Sequence, residues 1–296
     1  MPDASKRDSL ALDKRCLRAA FERAAHTYDG VAVLQREIAD RLLDRLNLMK
    51  SKPHAILDIG SGTGYCTRKL SERYRHAQVI GIDIAQAMAV QARRRSSLWN
   101  RLAGKQAFVC GDGERLPVAT DSADMIVSSA TLQWCNPEAV FAEAQRVLRP
   151  GGLLMFTTFG PDTLHELRKS WSAVDDRPHV HGFLDMHDIG DMLVHAGFAD
   201  PVMDVEHLTL TYADVMEVIR DLKQLGAHNV SAARARGLTG KGKFEHFRRT
   251  YQSMSQAGRI PATYEVVYGH AWVPEQKPIH SGEVMIPVSR IGRRSR

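Results

Sequence analysis

Short apolar runs alternate with helical stretches through the middle of the chain. The runs AILDI (55–59), QVIGID (78–83), QAFVCGD (106–112), ADMIVSS (123–129) and LLMFTTF (153–159) read as strands. Residues 63–74, 85–98 and 137–148 between them read as helices, and PGG at 150–152 as a turn. Strands alternating with helices predict a doubly wound α/β fold, a parallel sheet covered on both faces. The strands lack clean in–out alternation, which fits burial on both sides. Upstream, residues 13–48 read as helices, with Leu34, Ile38, Leu42, Leu43 and Leu46 at helical spacing, and Lys50–His54 links them to the first strand. After residue 160 the rhythm changes. Residues 161–172 read as a helix, followed by a loop and a helix ending at Gly197. An alternating strand (202–212), a helix (213–226), a Gly-, Ala- and Arg-rich loop (227–243), a helix (244–257) and a strand (263–273) complete the pattern, giving seven strands. No internal repeat is present.

Composition narrows this picture only a little. The 296 residues are 44% hydrophobic and 25% charged, enough for one sizeable core. No apolar run approaches the ~20 residues of a membrane span. The N-terminus lacks the apolar centre of a signal peptide, so a cytoplasmic protein is expected. Cys16, Cys66, Cys110 and Cys135 are scattered without metal spacing or a local partner base, and they read as reduced thiols. No metal is expected. The net charge of +6 is uneven: residues 220–259 carry +7 and the tail SRIGRRSR four more cations. A basic segment on a slightly acidic body points to an anionic partner.

The chemistry concentrates at LDIGSGTGYC (57–66). A glycine loop between a strand and a helix directs backbone N–H groups at a polar ligand. Gly60, Gly62 and Gly64 depart from the dinucleotide fingerprint, because the third glycine comes one residue early. Asp58 stands two residues before the first glycine, where it can orient the loop or receive an ammonium group but would sit badly beside a pyrophosphate. The ligand implied is a nucleoside bearing an amino-acid cation. Asp83 closes the second strand, where a carboxylate can accept both ribose hydroxyls. Asp112 closes the third, where it can accept the adenine amino group, with the Gly113 and Glu114 backbone near the ring. Each acid could alternatively cap the helix that follows it.

The stretches LDIGSGTG, VIGIDIAQAMAVQAR, GDGERLPVATDSADMIVSS and VLRPGGLLMF resemble the class I S-adenosylmethionine-dependent methyltransferases, in matching order over residues 55–158. The resemblance implies a Rossmann-like, mostly parallel seven-stranded sheet with one antiparallel strand near the C-terminus. It also implies cofactor contacts from Tyr28, Gln35, Asp58, Gly60, Ser61, Gly62, Gly64, Asp83, Ile84, Met88, Asp112, Gly113, Glu114 and Ser129. More narrowly, AAFERAAHTYDGVAVLQREIADRLL (19–43), SSATLQWC (128–135), SWSAVDDRPHVHGFLDMHDIG (170–190) and IRDLKQLGAHN with RGLTGK (219–241) resemble the malonyl-[acyl-carrier protein] O-methyltransferases of biotin synthesis. That resemblance implies a single domain over 13–274. It has a helical cap (13–50) and substrate-side insertions (161–190 and 213–260); residues 1–12, which read as a flexible tail, and the basic tail 275–296, which reads as disordered, depart from the family pattern. It implies a monomer whose partner is an acidic malonyl-carrier protein, with malonyl-CoA as a further acceptor, and neither nucleic acid nor membrane.

A carboxylate nucleophile is already ionised at pH 7, its pKa being about 4, so no general base is expected. The site must instead hold one carboxylate oxygen and aim the other. Arg177, His181, Arg220, Lys223 and His228 are the candidates. Arg234, Arg236, Lys241, Arg248 and Arg249 are candidate contacts for the carrier, and Leu132, Trp134, Trp171, Phe183 and Met186 for its acyl arm. Three other readings share the cofactor loop. One is a methyltransferase of a small carboxylic acid or quinone precursor. The second is a cofactor-binding assembly factor or hydroxylase that transfers no methyl group. The third is a nucleic-acid methyltransferase, for which the sequence lacks the exocyclic-amine and Pro-Cys motifs.

Overall fold

The computed structural model describes residues 12–227, 229 and 239–275. Three helices form an N-terminal cap: α1 (Lys14–Ala24), α2 (Tyr28–Val31) and α3 (Val33–Arg45). The alternating core follows as β1 (Ala55–Ile59), α4 (Tyr65–Arg73), β2 (Gln78–Asp83), α5 (Gln86–Arg95), α6 (Leu98–Leu102), β3 (Gln106–Cys110), β4 (Ala123–Ser128), α7 (Pro137–Val147) and β5 (Leu148–Phe159). The C-terminal part adds α8 (His165–Ser172), α9 (Met186–His195), β6 (Ala199–Tyr212), α10 (Val215–Gln224), α11 (Lys241–Gln252) and β7 (Ile260–Trp272).

The seven strands form one sheet in the order β3-β2-β1-β4-β5-β7-β6. Only β7 runs against the rest, pairing antiparallel with both β5 and β6. The strand order reverses between β1 and β4, so a crevice opens at their carboxyl ends, where open α/β sheets bind ligands. Apolar clusters lie on both faces. One gathers Ile38, Leu42, Leu70, Phe247 and Tyr251, and the other Phe141, Ala144, Leu193 and Phe198. Edge strand β6 alternates half-buried and exposed positions, as a strand with one solvated face does.

Three boundaries differ from the sequence expectation for local reasons. The stretch 85–98 ends its first helix at Arg95, and a separate short turn, α6, carries Leu98, Trp99 and Leu102. Strand β5 begins at Leu148 rather than 153, because the backbone of Arg149–Gly152 stays in the ladder, with Gly151 at φ +74°. Helix α11 starts at Lys241, within the stretch read as a loop. Side-chain caps set several helix starts. Asn136 accepts from Glu138 N–H ahead of Pro137, and Asp185 and Asp214 cap α9 and α10.

The cap is fastened to the body by polar contacts. Both Glu22 carboxylate oxygens accept backbone N–H groups at the start of α5, from Gln86 and Ala87, each at 2.8 Å. Asp29 accepts from Thr63 in the glycine loop and pairs with Arg95. Arg45 reaches Asp204 and Glu206 on β6 and lies 3.7 Å over the Tyr268 ring. Among the described residues no helix is long and apolar enough to cross a membrane.

Candidate active site

A cavity of about 480 Å³ opens over the carboxyl ends of β1, β2 and β4, roofed by α1 and α2. Its floor is the glycine loop. Gly60, Gly62 and Gly64 all have positive φ, at +73°, +52° and +80°. A Cβ at Gly60 would sit 2.0 Å from Thr131 Oγ1, so only glycine lets the segment after β4 close against the loop. A Cβ at Gly64 would meet Ala92 at 2.9 Å, which explains the early third glycine as a packing requirement of α5 on the loop.

Asp83 is the organising acid. One carboxylate oxygen accepts Gly62 N–H at 2.8 Å and the other Ala85 N–H at 2.8 Å. It therefore ties the glycine loop to the turn ahead of α5, whose N-cap residue is Ala85, and still faces the cavity. Burial pushes its carboxyl up to about 6, against the pull of those two backbone bonds. Asp58 lies deeper, 1% exposed, accepting a hydrogen bond from Thr67 on α4. Burial pushes it up to about 7. Asp58 borders not the main cavity but a smaller one of about 150 Å³ behind the loop, together with Gln35, Ser61, Gly62 and Ser129. There Gln35 Oε1 and Ser61 Oγ are buried without a protein partner. Unpaired buried polar atoms are costly, so these two mark a place for a polar ligand group.

Asp112 is engaged. Lys14 of α1 donates to both its oxygens, at 2.8 and 2.6 Å, and to Glu114 at 2.6 Å. Burial pulls the Lys14 ammonium down, but the bonds to the two acids outweigh it and leave it raised. Lys14 was not foreseen; only the 98-residue separation from Asp112 kept it out of view. Glu114 also accepts Asn136 N–H at 2.6 Å. It borders a second groove of about 1110 Å³ that shares Lys14, Gln133, Trp134, Cys135, Phe159 and Phe183 with the main cavity. Ile84, Met88, Gly113, Ser129, Tyr28 and Gln35 all line the main cavity. Burial raises the Tyr28 hydroxyl, and Asp83 adds to it. Gly64 is packed beneath the loop and lines none of the three cavities.

Beyond the glycine loop the cavity becomes an aromatic chamber. Phe21 meets Trp134 edge-on at 5.7 Å, Trp134 lies 4.8 Å from His181, and His181 lies 4.6 Å from Phe183. Phe159 and Tyr264 continue the wall, 5.6 Å apart. Trp171 stacks between His179 at 3.9 Å and Phe247 at 4.1 Å. Trp134, Trp171 and Phe183 thus line the chamber. Leu132 borders only the second groove, and Met186 borders none of the three cavities.

The basic candidates divide. His181 is 6% exposed, and burial, reinforced by the Arg168 guanidinium, lowers it to about 4. Lys223 lines the mouth of the chamber with Asn229, Thr239 and Phe244. Arg177 and Arg220, two of the candidates for holding the carboxylate, are exposed and border none of these cavities. Arg177 follows the Asp175 turn toward solvent, and Arg220 falls on the outer face of α10, whose inner face carries Val215 and Val218. Arg248 and Arg249 of α11 are paired with Glu245 of the same helix, and Lys243 with Asp175. Lys241 begins α11. His228, Arg234 and Arg236 lie outside the described residues.

Residues 57–156 match the family model described as "Methyltransferase domain". A malonyl-[acyl-carrier protein] O-methyltransferase of Gallionella capsiferriformans is 51% identical over 285 residues, covering 95% of this chain and 98% of the relative. The enzyme of the same name from Laribacter hongkongensis is 53% identical over 276 residues, 92% of this chain and 93% of the relative. Among solved structures, the YcgJ protein of Bacillus subtilis superposes with a TM-score of 0.56 at 15% identity, covering 80% of this chain and 99% of that one, which is a likeness of fold.

Proposed function

The chain belongs to the malonyl-[acyl-carrier protein] O-methyltransferase family, and from that premise we propose how its own residues carry out the reaction. It is a class I S-adenosylmethionine-dependent methyltransferase that esterifies the free carboxylate of a malonyl thioester on acyl-carrier protein, at the entry to biotin synthesis in the cytoplasm. The observation that carries this reading is the identity of about half the residues over nearly the full length of relatives so named.

The residues present fit the cofactor. Gln35 Oε1 and Ser61 Oγ, unpaired within the protein, suit the amino-acid end of S-adenosylmethionine, with Ser129 beside them. Asp83 keeps lone pairs free for ribose hydroxyls after accepting its two backbone N–H groups. Ile84 and Met88 supply apolar surface for the adenosine. Asp112 and Gly113 border the adenine edge, where Lys14 fixes the Asp112 carboxylate, and Glu114 anchors Lys14 from the other side. Tyr28 closes the roof above Gly62. Asp58 acts from beneath, holding α4 to the loop through Thr67.

The cofactor supplies an electrophilic methyl group on a sulfonium. The protein orients the nucleophile and excludes water. A malonyl carboxylate arrives ionised, so no side chain has to remove a proton. The thioester arm enters past Lys223, Asn229, Thr239 and Phe244, the mouth that opens toward α10 and α11. The acidic carrier docks on that basic side, where Lys223, Lys241, Arg248 and Arg249 lie. Charge complementarity there steers the encounter more than it sets affinity. The test is release of S-adenosylhomocysteine with malonyl-carrier protein, malonyl-CoA and free malonate in parallel. Malonyl-carrier should be the best acceptor. No release with any of the three would remove this reading, and free malonate turning over as well as the carrier form would favour a small-acid methyltransferase.

A further inference from the structure

Transfer of a methyl group from a sulfonium to a carboxylate destroys two charges. One carboxylate oxygen forms a bond to the methyl carbon, the carbon–sulfur bond breaks, and its electron pair stays on sulfur. A thioether and an ester remain, both neutral. Charge is thus smaller in the transition state than in the bound reactants. A cation clamped on the carboxylate would hold the reactant more strongly than the transition state, which slows the step.

The chamber matches that demand. Its walls near the glycine loop are Phe21, Trp134, Phe159 and Phe183. Among the described residues its cations stand at the two ends: Lys14 is tied to Asp112 and Glu114, and Lys223 is exposed at the mouth. Between them sits His181, 6% exposed, its ring held between Trp134 and Phe183. Its Nε2 is buried and has no hydrogen-bond partner. Arg168 is close enough to act on His181, but its guanidinium is spent on two backbone carbonyls, Pro161 and Thr163, each at 2.7 Å. It contributes a positive field without contact.

Resting on the function proposed above, we propose that His181 is the positioning residue for the malonyl carboxylate: Nε2–H of the uncharged imidazole donates to one carboxylate oxygen and leaves the other aimed at the methyl group. The same N–H then donates to the ester carbonyl, so no buried charge is stranded when the product forms. This assignment selects His181 from the candidates the sequence offered, over the cationic Arg177, Arg220 and Lys223. It also explains an otherwise unpaired polar atom in an aromatic wall, which is costly unless substrate completes it.

The experiment compares His181→Phe and His181→Gln with the wild type on malonyl-carrier protein. Phenylalanine keeps the ring packing and removes the donor; glutamine restores a neutral N–H of similar reach. His181→Phe should lose about 10- to 150-fold in kcat/KM, the loss expected for one hydrogen bond to a charged group. His181→Gln should recover most of it. The Kd for S-adenosylhomocysteine, measured by calorimetry, should stay within about twofold in both variants, which separates positioning from damage to the fold. Full activity of His181→Phe overturns the proposal. So does a glutamine variant as impaired as phenylalanine with cofactor affinity intact, since that marks a packing role. A wild-type enzyme that releases no S-adenosylhomocysteine from malonyl-carrier would instead remove the underlying function.

Discussion

Lowering the pH from 7.0 to 5.5 should weaken binding of S-adenosylmethionine, and the size of the effect identifies which carboxylate the cofactor needs. Asp83 is 8% exposed and held at about 6; Asp58 is 1% exposed and held at about 7. Both values describe the protein without ligand, and both are raised above 3.8 because burial disfavours the ionised form. A cationic ligand favours ionised carboxylates, so binding pulls both values down and releases protons. Affinity is therefore full above the ligand-free values and lost as pH falls through them. At pH 5.5 a carboxyl with a value near 6 is about one-quarter ionised, against about nine-tenths at pH 7.0, so dependence on Asp83 alone costs roughly fourfold. Asp58 falls from about half to about 3% ionised over the same interval, so a requirement for both acids costs roughly sixtyfold. The Asp58 carboxyl is pushed up partly by Asp83, so the two titrate as a pair and the data yield macroscopic values. Isothermal calorimetry at several pH values gives Kd directly, and buffers of different ionisation enthalpy report the proton release. Asp83→Asn should flatten the fourfold component. A Kd that is constant from pH 7.0 to 5.5, with no proton release, refutes the placement of the cofactor over these acids.

Three further outcomes probe other parts of the site. Gly60→Ala forces a Cβ to 2.0 Å from Thr131 Oγ1 at φ +73°, and should destabilise the protein by more than about 2 kcal/mol in denaturant titrations. Gly104→Ala, at φ +67° in open space, should cost only about 1 kcal/mol. Lys14→Ala removes the tie from α1 to Asp112 and Glu114; stopped-flow fluorescence should show faster cofactor release, with Lys14→Arg much closer to wild type. Equal release rates would confine Lys14 to a surface ion pair of little consequence. Turnover of malonyl-carrier should fall as ionic strength rises from 0.05 to 0.5 M while turnover of malonyl-CoA changes less, because only the carrier presents an extended acidic surface. Equal salt responses would count against docking on the α10–α11 side.

What the sequence revealed and what it hid follow from distance along the chain. The alternating strands, the glycine loop and the acids at the strand ends are local patterns; the sheet brings Asp83 and Asp112 to the main cavity and leaves Asp58 behind the loop. Asp83 shows the limit of even a local reading. Capping and ligand binding are the two local readings, yet its two oxygens accept Gly62 and Ala85 N–H, the helix that follows has no side-chain cap, and the side chain faces the cavity. Contacts between distant segments were invisible. Lys14 on Asp112, Glu22 on the start of α5 and Arg45 on β6 join residues 64 to 161 positions apart, and no periodicity encodes them. The substrate end was left with several candidates for a different reason. Counting cations between 177 and 249 located a basic side but could not say which charges were already neutralised. Glu245 takes Arg248 and Arg249, Asp175 takes Lys243, and solvent takes Arg177 and Arg220. Among the described residues the middle of the chamber is lined by aromatic rings, the buried His181 imidazole and uncharged polar side chains such as Gln133 and Thr163, which suits a reaction that annihilates charge. His181 stood among the sequence candidates beside the cations, and the quantity that chooses among them is the difference in binding between reactant and transition state, for which a full positive charge has the wrong sign.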